Sequence, residues 1–187
     1  MQVVKIVVTG AYSAGKSNFI RTISEIETVD TDYAVTLAEE REQKTETTVA
    51  LDFGTIAIDG EVVLYLFGTP GQERFDFMWE HLTVDCLGYV VLVDSTRPEY
   101  FPDVQRLIAR FAALTSAPFV VAANKQDDPG SLPPGYIRQL LALPERVAVV
   151  PCVGTDKESV KGVLLTLLDE IVASLPEDEP AGIEAMA

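Results

Sequence analysis

Eight residues, "GAYSAGKS" (Gly10–Ser17), constrain this chain more than any other stretch. They fit G-x-x-x-x-G-K-S and lie between "VVKIVVT" (3–9), which reads as a buried strand, and a helix expected from Lys16 to about Ile26. A strand that turns into a helix through Gly10, Tyr12, Ser13, Ala14 and Gly15 directs its backbone N–H groups inward. The helix N-terminus adds a positive dipole end, so the turn suits phosphate oxygens. Lys16 brings a charge to the β- and γ-phosphates, and the Ser17 hydroxyl can ligate Mg²⁺.

The rest of the chain extends that strand–helix beginning. "TTVALDFGTIAIDGEVVLYLF" (47–67) reads as two strands joined at Asp59-Gly60, a hairpin signal. "GYVVLVD" (88–94), "APFVVAAN" (117–124) and "RVAVVPC" (146–152) are short apolar runs suited to a sheet covered on both faces. Helical stretches are expected near 100–115, 133–143 and 159–175, and a polar loop over 27–47. The pattern predicts an α/β fold, a six-stranded, mostly parallel sheet with one antiparallel hairpin strand and helices on both faces. Residues 1–175 form one domain in this reading, and the acidic, proline-broken tail 176–187 is expected to be disordered.

Composition narrows the partners. The formal charge of −15, from 29 acids against 14 bases, opposes nucleic acid and anionic membrane. No apolar run is long enough to span a bilayer, and no lipid-anchor signature is seen, so a cytoplasmic protein is expected. Cys86 and Cys152 lie in apolar contexts that suit buried free thiols. His81 is the only histidine, which excludes a zinc cluster of Cys/His spacing.

Two further motifs speak to the base. "NKQD" (Asn124–Asp127) ends a predicted strand. The Asp127 carboxylate can accept from guanine N1 and N2, which adenine cannot offer, and the Lys125 stem can lie along the purine face. Asn124 can tie this loop to the phosphate loop. In "PCVGTD" (151–156), around Val153 and Gly154, the small Gly154 lets a backbone N–H approach guanine O6.

With these motifs in hand, the chain resembles a Ras-superfamily small GTPase over residues 3–175. "TVALDFGTIAIDGE" is similar to the Rab-type switch I and hairpin, and "GQERF" matches switch II. The resemblance implies a G domain that binds GTP and GDP with Mg²⁺, with Thr48 bonding the metal and the γ-phosphate. It implies a Gly71 N–H on the same phosphate and Gln72 as the residue that orients the attacking water, with Lys16 as the charge that assists. Two positions depart from it. Gly68 stands where the usual acid holds a magnesium water, and Tyr12 stands where Ras has glycine. An apolar residue followed by "TPGQ", with Thr48 and Asp52 spaced as Thr-x-x-x-Asp, is similar to the prokaryotic MglA-like branch. The arginine that MglA proteins place before the threonine is absent, since position 47 is Thr47, and Arg41 is the only cis candidate.

Asp52 carries two readings. It is an edge-strand charge that blunts aggregation, or it replaces the missing magnesium carboxylate through a water. The aromatic run "RFDFMWEHL" (74–82) carries two as well: Phe75, Phe77 and Trp79, with Phe53, form either core or an effector-binding patch. The expected function is a slow GTPase switch that controls a protein partner, with a Roadblock/LC7-type regulator implied by the MglA resemblance. The alternative is a guanine-nucleotide scaffold without appreciable hydrolysis, and a P-loop kinase leaves "NKQD" and "GQERF" unexplained.

Overall fold

In the computed structural model, residues 2–27, 29–35, 47–58, 60–70 and 77–175 are described; for 29–35, 47–50 and Phe77 this covers the backbone alone. The chain runs β1 (Gln2–Gly10), α1 (Lys16–Ile23), β2 (Val29–Val35), β3 (Thr47–Ile58), β4 (Val62–Gly68) and α2 (Phe77–Thr83). It continues with β5 (Gly88–Asp94), α3 (Phe101–Leu114), β6 (Phe119–Asn124), α4 (Pro134–Leu140), β7 (Val149–Pro151) and α5 (Lys157–Ser174). The sheet order is β2-β3-β4-β1-β5-β6-β7. Both β2–β3 and β3–β4 pair antiparallel, and the other neighbours pair parallel.

Alternation along β1 divides the core. Val4, Ile6 and Val8 face α1 and α5, with Phe19, Ile20 and Leu167, whereas Val7 faces the helices on the other side, with Trp79, Tyr89 and Phe111. Both sheet faces are therefore covered, as the continuous apolar runs demanded. The six expected strands are all present.

Three boundaries differ from expectation. A seventh strand, β2, comes from within the predicted loop 27–47; its pairing with β3 from Val29↔Phe53 to Val35↔Thr47 supplies order that a polar sequence did not announce. Helix α1 ends at Ile23 rather than Ile26, because Ser24 turns extended and Glu25 donates its N–H to the Thr55 carbonyl. Residues 77–83 are helical, although no helix was expected there. Among the described residues, no helix is long and apolar enough to cross a membrane.

Cys86 and Cys152 are both buried free thiols. Burial pushes both thiols up, Cys152 to about 11, with Asp156 adding to the rise and the Ser159 hydroxyl opposing it. At pH 8 neither forms thiolate readily in the folded chain. Ellman's reagent should therefore titrate no thiol in the native protein and both after guanidinium unfolding; rapid native reaction would place a thiol at the surface.

Candidate nucleotide site

The C-terminal ends of β1, β4, β5 and β6 converge on the loop Gly10–Ser17. Gly10 (φ +150) has no room for a side chain, since a Cβ would lie 2.4 Å from the Leu92 carbonyl oxygen. Gly15, in the left-handed region at φ +101, begins α1, and a Cβ there would lie 2.6 Å from Asn124 Nδ2. Ser13 also takes a positive φ of 64°, a strained state that recurs at ligand-binding turns.

Asn124 is the keystone. Its Nδ2 donates to the Ala14 carbonyl at 2.8 Å, and its Oδ1 accepts the Gly154 N–H at 2.8 Å. One buried amide thus ties the phosphate loop to both base-loop motifs, the link the sequence reading assigned to it. The Gly154 N–H is donated to Asn124 and the Val153 N–H to Ser159 Oγ. A Cβ at Gly154 would sit 3.1 Å from the Asn124 amide, so the glycine makes room for Asn124.

Lys16 is buried and folds back on the loop, donating to the Gly10 and Ala11 carbonyls at 2.8 and 3.0 Å. Burial lowers its ammonium to about 8, and the nearby Asp52 carboxylate pulls it partly back up. Both loop carbonyls hold the ammonium at the mouth of a cavity of about 600 Å³, whose walls include Tyr12, Ser17, Asp52, Thr69 and Lys125.

Asp52 reaches that cavity. Its Oδ2 accepts the Ser17 hydroxyl at 2.7 Å. The edge-charge reading fails on two counts: β3 pairs on both sides, and its Asp52 face looks toward α1. A Cβ built on Gly68 would lie 2.9 Å from Asp52 Cβ and 3.2 Å from Oδ2. The Asp52 carboxylate therefore fills the space that a side chain at position 68 would take.

Contacts that the sequence reading did not foresee brace the site. The hydroxyls of Thr9 and Thr69 meet at 2.9 Å in a buried pair, and the Thr69 N–H donates to the Val8 carbonyl. This fixes the turn after Gly68 against β1. Lys125, at φ 66°, places its Nζ 2.5 Å from Asp94 Oδ2. Burial alone would raise the Asp94 carboxyl, but Lys125 and two donors from Thr96 outweigh it and hold it below its ordinary value. An acid closing the apolar run "GYVVLVD" was the available signal for Asp94. Asp127 stands exposed in the same loop.

Some expected site residues lie outside this geometry. Gly71, Gln72, Phe75 and Arg41 are outside the described residues, as is the tail. Thr48 is placed by its backbone in β3, opposite Ala34, and the side chains of Thr48 and Phe77 are not among those described. For Trp79 the core reading holds over the patch: it is buried, and its ring centre lies 5.1 Å from that of Phe111 with the planes tilted. Phe53 instead gathers with Phe67 and Tyr65 at 5.0 and 5.4 Å on the sheet face away from α1.

Comparison with known proteins agrees with this architecture. The profile of a family described as "Conserved hypothetical ATP binding protein" matches residues 8–174. ADP-ribosylation factor-like protein 4C of Homo sapiens is 29% identical over 155 residues, 78% of this chain and 72% of that protein. ADP-ribosylation factor-related protein 1 of Bos taurus is 32% identical over 87 residues, 45% of this chain and 43% of that protein. The chain thus spans less than half the length of the latter. The chain belongs to the conserved hypothetical ATP binding protein family, and its ADP-ribosylation factor-like relatives support a place in the Ras superfamily.

Proposed function

We propose that this chain is a guanine-nucleotide switch that binds GTP–Mg²⁺ and hydrolyses it slowly. The observation that carries the reading is Asn124, which locks the loop of Lys16 and Ser17 to the loop of Lys125 and Asp127. The phosphate-binding turn is then held at a fixed distance from the loop that carries the exposed Asp127. Asp127 selects guanine by accepting from N1 and N2, and Lys16 meets the phosphates.

The donor set fits a magnesium ion. A hydroxyl and a carboxylate 2.7 Å apart, beside a phosphate-binding lysine, are hard oxygen donors of the kind Mg²⁺ takes. Ser17 would ligate the ion directly, with Thr48 from switch I, and Asp52 would hold one of its waters. The ion would neutralise charge on the phosphates, while Lys16 orients them and Gln72 positions water. The MglA-like placing rests on Gly68, Thr48 and Asp52 alone, the relatives above being ADP-ribosylation factor-like. An effector would dock on the half-buried aromatics around Phe53, and a Roadblock/LC7-type regulator is part of this proposal by analogy.

An adenine-nucleotide reading is favoured by the family's own description. Calorimetry separates the two. GTP and GDP should bind at least about a hundredfold more tightly than ATP, the discrimination expected when an acid placed to accept two N–H groups of the base is covered by a base that lacks them. Equal affinities would sink the guanine assignment. Single-turnover hydrolysis should be slow and slower still in Gln72→Leu; no turnover in either protein would favour the non-hydrolysing scaffold.

A further inference from the structure

The turn that follows β5 seats the loop of Lys125 and Asp127. Ser95 donates its N–H to the Asn124 carbonyl, its own carbonyl accepts the Leu132 N–H, and Gln126 Nε2 donates to Ser95 Oγ at 2.9 Å. Asp94 stands opposite Asn124 where β5 pairs with β6, which sets its carboxylate beside the next residue, Lys125.

Both oxygens of that carboxylate are engaged. Oδ2 accepts Lys125 Nζ at 2.5 Å, and Oδ1 accepts the N–H and the hydroxyl of Thr96 at 3.0 and 2.7 Å. The Asp94 side chain is 7% exposed, whereas that of Lys125 is 38% exposed and lines the nucleotide cavity. The ammonium is therefore tied at its head while part of the side chain stays open to the cavity. A free lysine has a flexible four-carbon stem and much rotamer freedom to lose when a ligand is pressed against it. Here a bond within the chain itself removes that freedom. The bond is also of the strong kind, since a charged donor and acceptor bond about twice as strongly as a neutral pair.

We propose that Asp94 is a positioning residue for the base: by holding the Lys125 ammonium, it presents the Lys125 stem as a fixed apolar shelf for the face of a purine. The inference rests on reading this cavity as a purine-nucleotide site, and not on which purine it takes. A methylene shelf meets the ring face, which guanine, hypoxanthine and adenine share. Asp127 reads the ring edge, where they differ. The two Thr96 donors keep Oδ1 in place, so the carboxylate cannot swing away from the lysine.

The readout is the rate at which labelled GDP, or IDP, which lacks the 2-amino group, leaves the full chain under a chase of unlabelled nucleotide. Asp94→Asn and Lys125→Met should each speed GDP release about tenfold, the usual worth of one pre-ordered side chain. IDP release should rise by the same factor, because the shelf does not touch the ring edge. The double variant should release GDP no faster than either single one, since both changes break one tie; independent defects would multiply to about a hundredfold. Thr96→Val loosens the same carboxylate by one donor and should give a smaller rise, which carries the test where Asp94→Asn does not fold. Unchanged GDP release in Asp94→Asn and Thr96→Val, an effect on GDP without one on IDP, or multiplying rates in the double variant would overturn the shelf. A chain that holds ADP in place of GDP loses the guanine assignment, and the same cycle read with ADP then decides the role of Asp94 separately.

Discussion

Asp52→Asn will lower the magnesium affinity of the GTP-bound protein by about 10–100-fold, the usual cost of losing a group that orients a metal's bound water. The Ser17 hydroxyl keeps a partner, since asparagine still offers an oxygen, so the fold should survive. Thermal melting should move little while the magnesium titration of GTP binding shifts. The companion change separates relocation of the acid from mere proximity. Gly68→Asp added to the natural chain should not improve matters: its Cβ would lie 2.9 Å from Asp52 Cβ and 3.0 Å from Ile20 Cδ1, and two carboxylates would crowd one ion. Asp52→Gly combined with Gly68→Asp clears that space and should recover most of the lost affinity. An unshifted magnesium titration in Asp52→Asn would show that Asp52 only holds Ser17.

Gly15→Ala should be among the most damaging single substitutions in the chain. It places a side chain in the left-handed region and 2.6 Å from Asn124 Nδ2, so either the turn or the amide must move. The backbone strain costs about 1–3 kcal/mol, and a displaced buried amide adds a similar amount. Together these should lower the melting temperature by roughly 10 °C in a domain of this size. Nucleotide binding should fall further than stability, since the loops joined by Asn124 would no longer be in register. Gly162→Ala, in the interior of α5, is the control with the opposite sign. Nothing lies within 4 Å of its Cβ, and alanine there should add about 0.5–1 kcal/mol. A Gly15→Ala protein that melts and binds like the unaltered chain would remove Asn124 from its central place.

Sequence legibility followed how local each determinant is. The buried strands were readable because a strand covered on both faces must be apolar throughout, as in "GYVVLVD". Strand β2, "VDTDYAV", was not, because its order comes from hydrogen bonds to β3 rather than from an alternating apolar pattern. Helix α2 is only seven residues long and is held by what Trp79 and Leu82 bury, a signal that the periodicity of so short a stretch cannot carry. In the site, Asp52 was readable from its distance to Thr48 and from Gly68. The bond from the Gly154 N–H to Asn124 was not, since it depends on where an amide 30 residues away points.

One side chain sets the mechanics of the region that follows Pro70. Lys5, on β1, donates to the Val84 carbonyl at 2.7 Å and to the His81 carbonyl at 3.4 Å, and lies 5.7 Å from the centre of the Phe67 ring. Those carbonyls belong to the last turn of α2 and the residue beyond it, so a fixed central strand grips the helix at its far end. Trp79 and Leu82 seat the same helix in the core. The C-terminal end of α2 is thereby pinned to the central strand of the sheet, so any rearrangement there must first break the Lys5 bonds.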